Sequence, residues 1–332
     1  MDRQEVWKNC VIRTSDLVPT EVEWLWKPYI PKGKVTILRG DPGTGKTMLA
    51  LQIAAIVSCA QPFPGQSPPP DALKQGMVLY LTAEDDLEDT VVPRLIAAGA
   101  DRNWVTTVSP AATSLLTFTH TYFEGIIAKI KPQLVIVDPI QAFIGKDVDG
   151  HRANEMRPVM THIREIARKY ETSILLIEHL NKNIGGKGLY RGLGSIDITA
   201  AARSVLMVGA KGDEPDVKGF AHIKSNCCKK GRPIGFSIGE SGLEWDVNTD
   251  LTENEIVGGF VKEGISGVSK MDEAMDFLSN ALRHNGQNSK DILALAAQSN
   301  ITETTLRRAA KKLGVEIVSS GQGGEQTTIW QL

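Results

Sequence analysis

Short apolar runs alternate with segments of helical periodicity along the first half of the chain. The runs that predict strands cover residues 35–38, 77–82, 104–108, 134–137 and 174–177. Segments with apolar residues at helical spacing lie between them, at 48–59, 87–98, 122–130 and 153–170. This alternation predicts an α/β fold with a mostly parallel sheet covered on both faces. From 204 to 239 the pattern changes to strand–turn–strand, which predicts antiparallel strands at the edge of the sheet.

A different pattern begins near Ser269 and predicts a small second domain. Thr302 is placed to cap a helix and Gly314 to end it. The pattern predicts helices at 271–283, 291–298 and 303–313, then a hairpin with strands at 315–318 and 327–330. A helix-turn-helix followed by a hairpin is a winged helix, a shape that docks on DNA in some proteins and on proteins in others.

The chain therefore divides into four predicted parts. An N-terminal arm is rich in Trp and ends in Pro28 and Pro31, and its Trp side chains are expected to pack on the core. The parts are the arm at 1–32, the α/β core at 33–248, a linker at 249–268 and the winged helix-turn-helix domain at 269–332.

Composition and charge are those of an ordinary globular protein. The chain has 332 residues, of which 42% are hydrophobic and 23% charged, with a formal net charge of −2. A surface for nucleic acid must therefore be local. The four cysteines form no C-x-x-C pair, so we expect neither a zinc site nor a disulfide framework. With no apolar signal core or membrane-length apolar stretch, a cytoplasmic protein without a membrane partner is expected.

The most specific chemical signal is the segment GDPGTGKT at residues 40–47. It matches the pattern G-x-x-x-x-G-K-[ST], and it lies between a predicted strand and a predicted helix, as a phosphate-binding loop must. Lys46 would reach the β- and γ-phosphates, and Thr47 would offer its hydroxyl to Mg²⁺. The sequence thus predicts an ATP and Mg²⁺ site whose nucleotide contacts are Gly40, Asp41, Pro42, Gly43, Thr44, Gly45, Lys46, Thr47 and Met48.

A carboxylate directly after the strand 134–137 suits the other side of the metal site. Asp138 is predicted to hold Mg²⁺ together with Thr47. The next residue, Pro139, occupies the position at which many ATPases carry the Glu that activates water. The catalytic base must therefore come from another strand.

The ends of two neighbouring strands supply candidates for the remaining catalytic roles. Glu84 follows the strand 77–82 and can stand beside Asp138, because parallel strands end at one edge of a sheet. Asp85 and Asp86 are better placed to cap the helix that follows. His179 follows the strand 174–177 and is placed to sense the γ-phosphate, although a lone His is often only structural.

Two basic segments are candidates for contact with DNA. The Gly-rich loop 181–195 carries Lys182, Lys187 and Arg191, with Tyr190 available to stack on a base. The helix 303–313 carries Arg307, Arg308, Lys311 and Lys312. A solvent loop and a protein-binding winged helix are the alternative interpretations of these segments.

The chain resembles the RecA-like ATPases, and most closely the branch that includes the plasmid hexameric replicative helicase RepA and mobile-element AAA ATPases. The resemblance covers residues 20–245 and rests on the segments GDPGTGKT, LTAEDD, LVIVDP, IEHLNK, RGLGSIDITAAARS and HIKSN. It implies that Glu84 is the base and that His179 couples the nucleotide to the DNA loops. It also implies that Arg203 and Lys224 act in the ATP site of a neighbouring subunit of a hexameric ring.

These observations favour a DNA-dependent ring ATPase, helicase-like, that binds single-stranded DNA and serves replication of a plasmid, phage or integrated element. Duplex binding would come from the winged helix. A second reading is a regulator or assembly factor that uses ATP to switch its oligomeric state without translocating. A strand-exchange recombinase is the third. Unwinding assays on forked DNA distinguish the first two.

Overall fold

The computed structural model describes residues 11–67, 74–113, 115–145, 148–150, 152–179, 196–212, 214–239, 241–258, 270–282, 287–298, 301–320 and 327–331. Contacts divide the chain into two compact units. The described part of the larger unit lies within residues 11–258, and that of the smaller within residues 270–331. Among the described residues, no helix is both long and apolar enough to cross a membrane.

Nine of the described strands form one sheet at the centre of the larger unit. A separate antiparallel pair precedes it in the chain, β1 (Trp24–Trp26) and β2 (Ile30–Pro31). The strands of the sheet are β3 (Val35–Gly40), β4 (Val78–Thr82), β5 (Val105–Thr106), β6 (Leu134–Asp138), β7 (Ser173–His179), β8 (Ser204–Lys211), β9 (Glu214–Ser225), β10 (Ile234–Gly239) and β11 (Gly242–Asp246).

The spatial order of the strands is β11-β10-β9-β8-β3-β7-β6-β4-β5. Strands β3 to β8 pair in parallel with one another. Strands β9, β10 and β11 continue the sheet in antiparallel fashion on one side. The predicted α/β fold, mostly parallel with antiparallel strands at the edge, is confirmed.

Helices cover both faces of this sheet. They are α1 (Lys46–Ser58), α2 (Val92–Ala97), α3 (Pro110–Thr113), α4 (Thr121–Ile130), α5 (Ala153–Lys169), α6 (Ile196–Ala201) and α7 (Glu253–Gly258). Successive residues of a strand point to opposite faces of the sheet and pack in two separate hydrophobic clusters. In β6, Leu134 and Ile136 pack in the cluster that holds α1, whereas Val135 and Val137 pack in the cluster that holds α4 and α5. Burial on both faces explains why these strands read as unbroken apolar runs.

Aromatic packing anchors the end of the N-terminal arm to the core. Trp26 is fully buried; it stacks on Phe63 with ring centroids 4.9 Å apart and meets Phe220 edge-on at 5.4 Å. The expectation that the Trp side chains pack on the core is thus confirmed for Trp26. Trp7 lies outside the described residues.

The predicted linker 249–268 is wrong in its first half. Residues 249–258 fold onto the sheet, where α7 lies against β8 and β9 and where Leu251 and Ile256 are buried in a cluster with Ala221. A Cβ atom on Gly209 would overlap the carbonyl oxygen of Ile256, so glycine is what admits this close approach. The helix was not predicted because it is short and acidic and has few apolar anchors.

Two other local predictions differ from the structure, and three short elements were not predicted. The predicted strand 104–108 is reduced to the two residues of β5, and the predicted helix 87–98 begins as a π-helical turn, Leu87–Val91, before α2. Helices α3 and α6 and strand β11 were not predicted. All three are short, so their apolar pattern is too brief to identify.

In its described residues, the smaller unit has three helices and a three-stranded antiparallel sheet. Its elements are α8 (Lys270–Ala281), β12 (Gln287–Asn288), α9 (Ser289–Gln298), α10 (Glu303–Leu313), β13 (Glu316–Ser320) and β14 (Thr327–Gln331), and the strand order is β12-β14-β13. Leu278, Ile292, Leu306 and Trp330 are buried in its core.

The predicted ends of α10 are confirmed. The hydroxyl of Thr302 accepts the backbone N–H of Thr305 at 3.4 Å, and Gly314 ends the helix with a φ of 73°. Strand β12 was not predicted.

A buried histidine connects the arm to the edge strands. The N–H of Gly231 donates to Nδ1 of His222, so Nε2 carries the proton and donates to the hydroxyl of Ser204, each at 3.0 Å. That hydroxyl in turn donates to the carbonyl of Tyr29 at 2.6 Å. Burial lowers the pKa of His222 to about 4, and the chain of bonds requires the neutral ring.

We expect the free energy of unfolding to fall as the pH drops from about 6.5 toward about 4. In this window the unfolded chain binds a proton at His222 that the folded protein excludes, and the loss is about 2 kcal/mol between about pH 7 and pH 5. Urea titrations of the native protein and the His222→Gln variant measure the difference. Equal pH dependence in the two proteins would contradict the assignment.

Candidate functional site

The segment 40–47 forms a tight loop between β3 and α1. Gly43 and Gly45 have φ values of 78° and 94°, which are left-handed conformations that glycine adopts without strain. Helix α1 begins at Lys46, and the N–H groups of its first turn have no acceptors within the helix. A loop of N–H groups at a helix N-terminus is suited to phosphate.

Lys46 is held at the base of this loop. Its ammonium group donates to the carbonyl oxygens of Gly40 and Asp41, both at 2.9 Å. Burial lowers the pKa of Lys46 to about 8, and the nearby carboxylates of Asp138, Asp41 and Glu84 oppose that shift. An added phosphate anion would favour the charged ammonium further, because opposite charges stabilise each other in a buried setting.

A hydrogen bond joins the two predicted metal ligands. The Thr47 hydroxyl donates to Oδ2 of Asp138 at 2.7 Å, and the Tyr80 hydroxyl approaches the same oxygen at 3.3 Å. Asp138 is the last residue of β6 and is buried. Burial raises its pKa, while the hydrogen bonds and His179 oppose the shift. A hydroxyl beside a carboxylate is the kind of oxygen pair that Mg²⁺ uses in P-loop proteins.

The structure brings Glu84 and His179 together on the same edge. Nε2 of His179 lies 3.7 Å from Oε2 of Glu84, and both side chains are partly exposed. Nδ1 of His179 is buried, with no hydrogen-bond partner among the described residues. Asp85, the next residue after Glu84, instead accepts a hydrogen bond from Arg94 at 2.9 Å.

These side chains line one cavity of about 270 Å³ at the carboxyl ends of the parallel strands. Its lining includes Lys46, Thr47, Glu84, Asp85, Arg94, Asp138 and His179. A cationic group, a hydroxyl–carboxylate pair and an exposed carboxylate thus converge on the space in front of the glycine loop. This is the set of groups that phosphoryl transfer to water requires.

A buried ion pair connects the strands on which this site is built. Arg39 of β3 donates to Oε2 of Glu178 of β7 at 2.6 Å and to the hydroxyl of Thr199 of α6 at 2.9 Å. Both charged side chains are 1% exposed. The pair fixes the end of β7, and with it His179, relative to the glycine loop.

Arg203 and Lys224 lie at the opposite edge of the sheet. The backbone N–H of Arg203 donates to the carbonyl of Val35, five residues before Gly40 along β3, or about 16 Å. Lys224 donates to three carbonyls at the end of α6, those of Thr199, Ala200 and Ala202. Neither side chain reaches the glycine loop of its own chain, so a role at a nucleotide requires a neighbouring copy.

Of the two predicted DNA-contact segments, the structure describes the one on α10. Lys182, Lys187 and Arg191 lie outside the described residues. On α10, the guanidinium group of Arg307 forms an ion pair with the carboxylate of Glu303 at 2.8 Å. Its central carbon lies 6.0 Å from the ring centroid of Trp330. Arg308, Lys311 and Lys312 are exposed, on the side of the helix away from its buried residues Leu306, Ala309 and Ala310.

Residues 3–185 match a family model described as an AAA domain, AAA_25, and this match covers more than half of the chain. The chain belongs to this AAA domain family. Together with the parallel sheet and the glycine loop, membership shows a RecA-like P-loop ATPase, a class that binds a nucleotide, usually with Mg²⁺.

Curated relatives are named DNA repair protein RadA. The protein from Bacillus subtilis is 26% identical over 155 residues, which span 46% of this chain and 29% of the relative. For Listeria monocytogenes the identity is 24%, over 45% of this chain and 28% of the relative. The matched region thus spans less than a third of the length of these relatives. A KaiC-like protein from Pyrococcus horikoshii has a TM-score of 0.48 and 16% identity, over 69% of this chain and all of that protein.

Sequence reasoning did not find Tyr80, Arg94 or the pair of Arg39 and Glu178. Tyr80 is a polar-tipped residue in an aliphatic strand, and Arg39 and Glu178 are charges inside apolar runs. A polar or charged residue inside an apolar strand could have identified these three residues. No feature of the sequence identifies Arg94, because its approach to Asp85 depends on how α2 packs.

We expect Lys46→Ala to abolish ATP hydrolysis and weaken nucleotide binding, because it removes the cation at the phosphates. Glu84→Gln removes only the proposed base, so binding should persist while turnover falls by about 10²–10⁴. Fluorescent-nucleotide binding and phosphate release measure the two effects. Glu244→Gln, an exposed carboxylate of β11 that does not line this cavity, is the control. Normal turnover in Glu84→Gln would exclude Glu84 as the base.

Proposed function

We propose that this protein is a DNA-dependent ATPase that forms a ring and acts as a helicase-like motor in replication of a plasmid, phage or integrated element. The observation that carries the proposal is the approach of His179 to Glu84, 3.7 Å apart. This contact joins the candidate base to the strand from whose end the basic segment 181–195 departs. A change in the nucleotide at this contact can therefore change the position of the basic segment that would bind DNA.

The proposed reaction is in-line attack of water on the γ-phosphate, which breaks the bond to the bridging oxygen and releases ADP and phosphate. Glu84 orients the water and accepts its proton, while Lys46 and the loop N–H groups hold the phosphates. Thr47 and Asp138 would hold Mg²⁺, which when bound neutralises phosphate charge. His179, beside Glu84, would respond to the presence of the γ-phosphate. Arg203 would act on the phosphate of a neighbouring copy, with Lys224 as a second cation.

Contact with DNA is proposed at two places. Lys182, Lys187 and Arg191 would grip the backbone of a single strand, in keeping with relatives named as DNA repair proteins. The smaller unit has the element order of a winged helix: helix, strand, two helices and a hairpin. We propose that its helix α10 binds duplex DNA through Arg308, Lys311 and Lys312.

A regulator that switches its oligomeric state with ATP is the second candidate. The exposed basic face of α10 supports it, because a contact with one duplex site suits a regulator that does not move along DNA. Unwinding of forked DNA in the presence of ATP distinguishes the two functions. A motor separates the strands, whereas a regulator hydrolyses ATP without separating them.

Neutralising Lys182, Lys187 and Arg191 together should abolish stimulation of the ATPase by single-stranded DNA and leave basal hydrolysis intact. The salt slope of single-strand binding should fall by about two to three units, because three phosphate contacts are lost. Steady-state hydrolysis and anisotropy titrations measure both. The charge-matched control replaces Arg102, Lys129 and Lys131, which are exposed elsewhere. Undiminished stimulation would reject the motor and favour the regulator.

The four basic residues of α10 should not be equivalent. We expect Arg308→Ala and Lys311→Ala each to weaken duplex binding by about tenfold, because each removes a free cation from the outer face. Arg307→Ala should have a smaller effect, since Glu303 already holds that guanidinium. Anisotropy with duplex DNA at several salt concentrations measures the affinities. Equal losses from Arg307→Ala and Arg308→Ala would refute this orientation of the helix.

A further inference from the structure

The cavity in front of the glycine loop is lined by more acids than cations. Its carboxylates are those of Glu84, Asp85 and Asp138, whereas Lys46 and Arg94 are the cationic side chains among the described residues that line it. We call this space the nucleotide cavity. A nucleoside triphosphate is itself an anion, so an unpaired carboxylate in this space opposes its binding.

Two of the three acids have a place in the proposed reaction. Asp138 accepts a hydrogen bond from Thr47 and would face Mg²⁺, and Glu84 would accept the proton of the attacking water. Asp85 has neither role. Its carboxylate forms an ion pair with Arg94, in which Oδ2 lies 2.9 Å from Nη1.

The ion pair is built by the turn that follows β4. The hydroxyl of Thr82 accepts the backbone N–H groups of Glu84 and Asp85, at 3.4 and 3.3 Å, and so fixes both residues at the edge of the sheet. The π-helical turn Leu87–Val91 and the start of α2 then bring Arg94 back to Asp85. The side chain of Asp85 is 29% exposed and that of Arg94 38%, so the pair borders both the nucleotide cavity and solvent.

The charge of Asp85 acts on the part of the nucleotide cavity where Mg²⁺ would bind. Burial raises the pKa of Asp138, and the negative charge of Asp85 acts in the same direction, against the hydrogen bonds from Thr47 and Tyr80. An acid that influences the metal ligand also acts on the phosphates that Mg²⁺ would neutralise, because both lie in one partly enclosed space.

We propose that Arg94 sets the affinity of this site for ATP by neutralising Asp85. With the pair intact, the phosphates meet only the two acids that take part in the proposed reaction. Arg94 acts through Asp85 rather than on the nucleotide, so it is a positioning residue and not a catalytic one. The inference rests on the ATP site of the proposed function, and it holds whether or not the protein moves along DNA.

Two other roles for Arg94 lead to different results. If Arg94 contacted the nucleotide itself, its loss would weaken binding whether or not Asp85 carried a charge. If the pair only stabilised α2, replacing either partner would lower the free energy of unfolding and shift nucleotide affinity in the same direction. Neutralisation gives effects of opposite sign, because one variant leaves an unpaired anion in the nucleotide cavity and the other leaves an unpaired cation.

The test measures the affinity of the full-length protein for a fluorescent ATP analogue, with Mg²⁺ and in EDTA. We expect Arg94→Gln to weaken binding by about threefold to tenfold and Asp85→Asn to strengthen it by a similar factor. The double variant should return to the native affinity, and Arg94→Lys, which keeps the charge, should stay close to it. Each effect should be larger in EDTA, because the free nucleotide carries more negative charge than its Mg²⁺ complex. Inorganic tripolyphosphate, measured by competition, should rank the variants in the same order.

The matched control is the ion pair of Lys230 and Glu253, which are 2.7 Å apart, partly exposed and not part of the cavity lining. Lys230→Gln and Glu253→Gln should leave the affinity unchanged. Urea titrations measure the stability of every variant. If Arg94→Gln fails to fold, Asp85→Asn still decides the question, because neutralisation predicts a gain of affinity in that variant.

A double variant as weak as Arg94→Gln alone would overturn the inference in favour of direct contact with the nucleotide. Changes of the same sign in the two single variants would overturn it in favour of a structural role for the pair. Native binding of ATP with no change in either single variant refutes the inference alone, whereas a native protein that binds but does not hydrolyse ATP refutes the proposed function alone.

Discussion

The parallel pairing of β3 with β7 on one side and β8 on the other is the constraint on which the rest of the molecule depends. It sets Gly40 level with His179 and with Val208, so the glycine loop and the end of β7 share one edge. The same register starts β8 beside Val35 and thereby places Arg203 at the other edge. This register of the parallel strands places the candidate nucleotide site at one edge of the sheet and Arg203 at the other.

The two edges differ in character as well as in position. The carboxyl edge gathers a lysine buried enough to have a lowered pKa, a hydroxyl–carboxylate pair and a string of exposed acids. The amino edge gathers four cationic side chains around one cavity, whose lining contains a single acid, Glu165. The exposed charges at the two edges of the sheet are therefore of opposite sign.

The features that could be predicted from the sequence were those with a local cause. Strands β3, β6 and β7 are apolar over consecutive residues because both faces are buried, and the glycine loop has a fixed spacing. Thr302 and Gly314 mark the ends of α10 by their own conformational preferences. By contrast, the position of α7 depends on two buried side chains and on a glycine in a strand far away in sequence.

The candidate site divides in the same way. Lys46, Thr47 and Asp138 were predictable because a motif and a strand end define them, and Glu84 followed from the rule that parallel strands end at one edge. Tyr80 and Arg94 reach the site through the packing of side chains across elements, which no spacing along the chain encodes.

The buried pair of Arg39 and Glu178 has an evolutionary consequence. Removing either partner alone strands a charge in the core, at a cost of about 3–5 kcal/mol, whereas replacing both by apolar residues of similar size is often neutral. Drift at these two positions must therefore pass through a poorly folded single mutant or occur in one step. Across related sequences, the two positions, 139 residues apart, should covary and change as a unit.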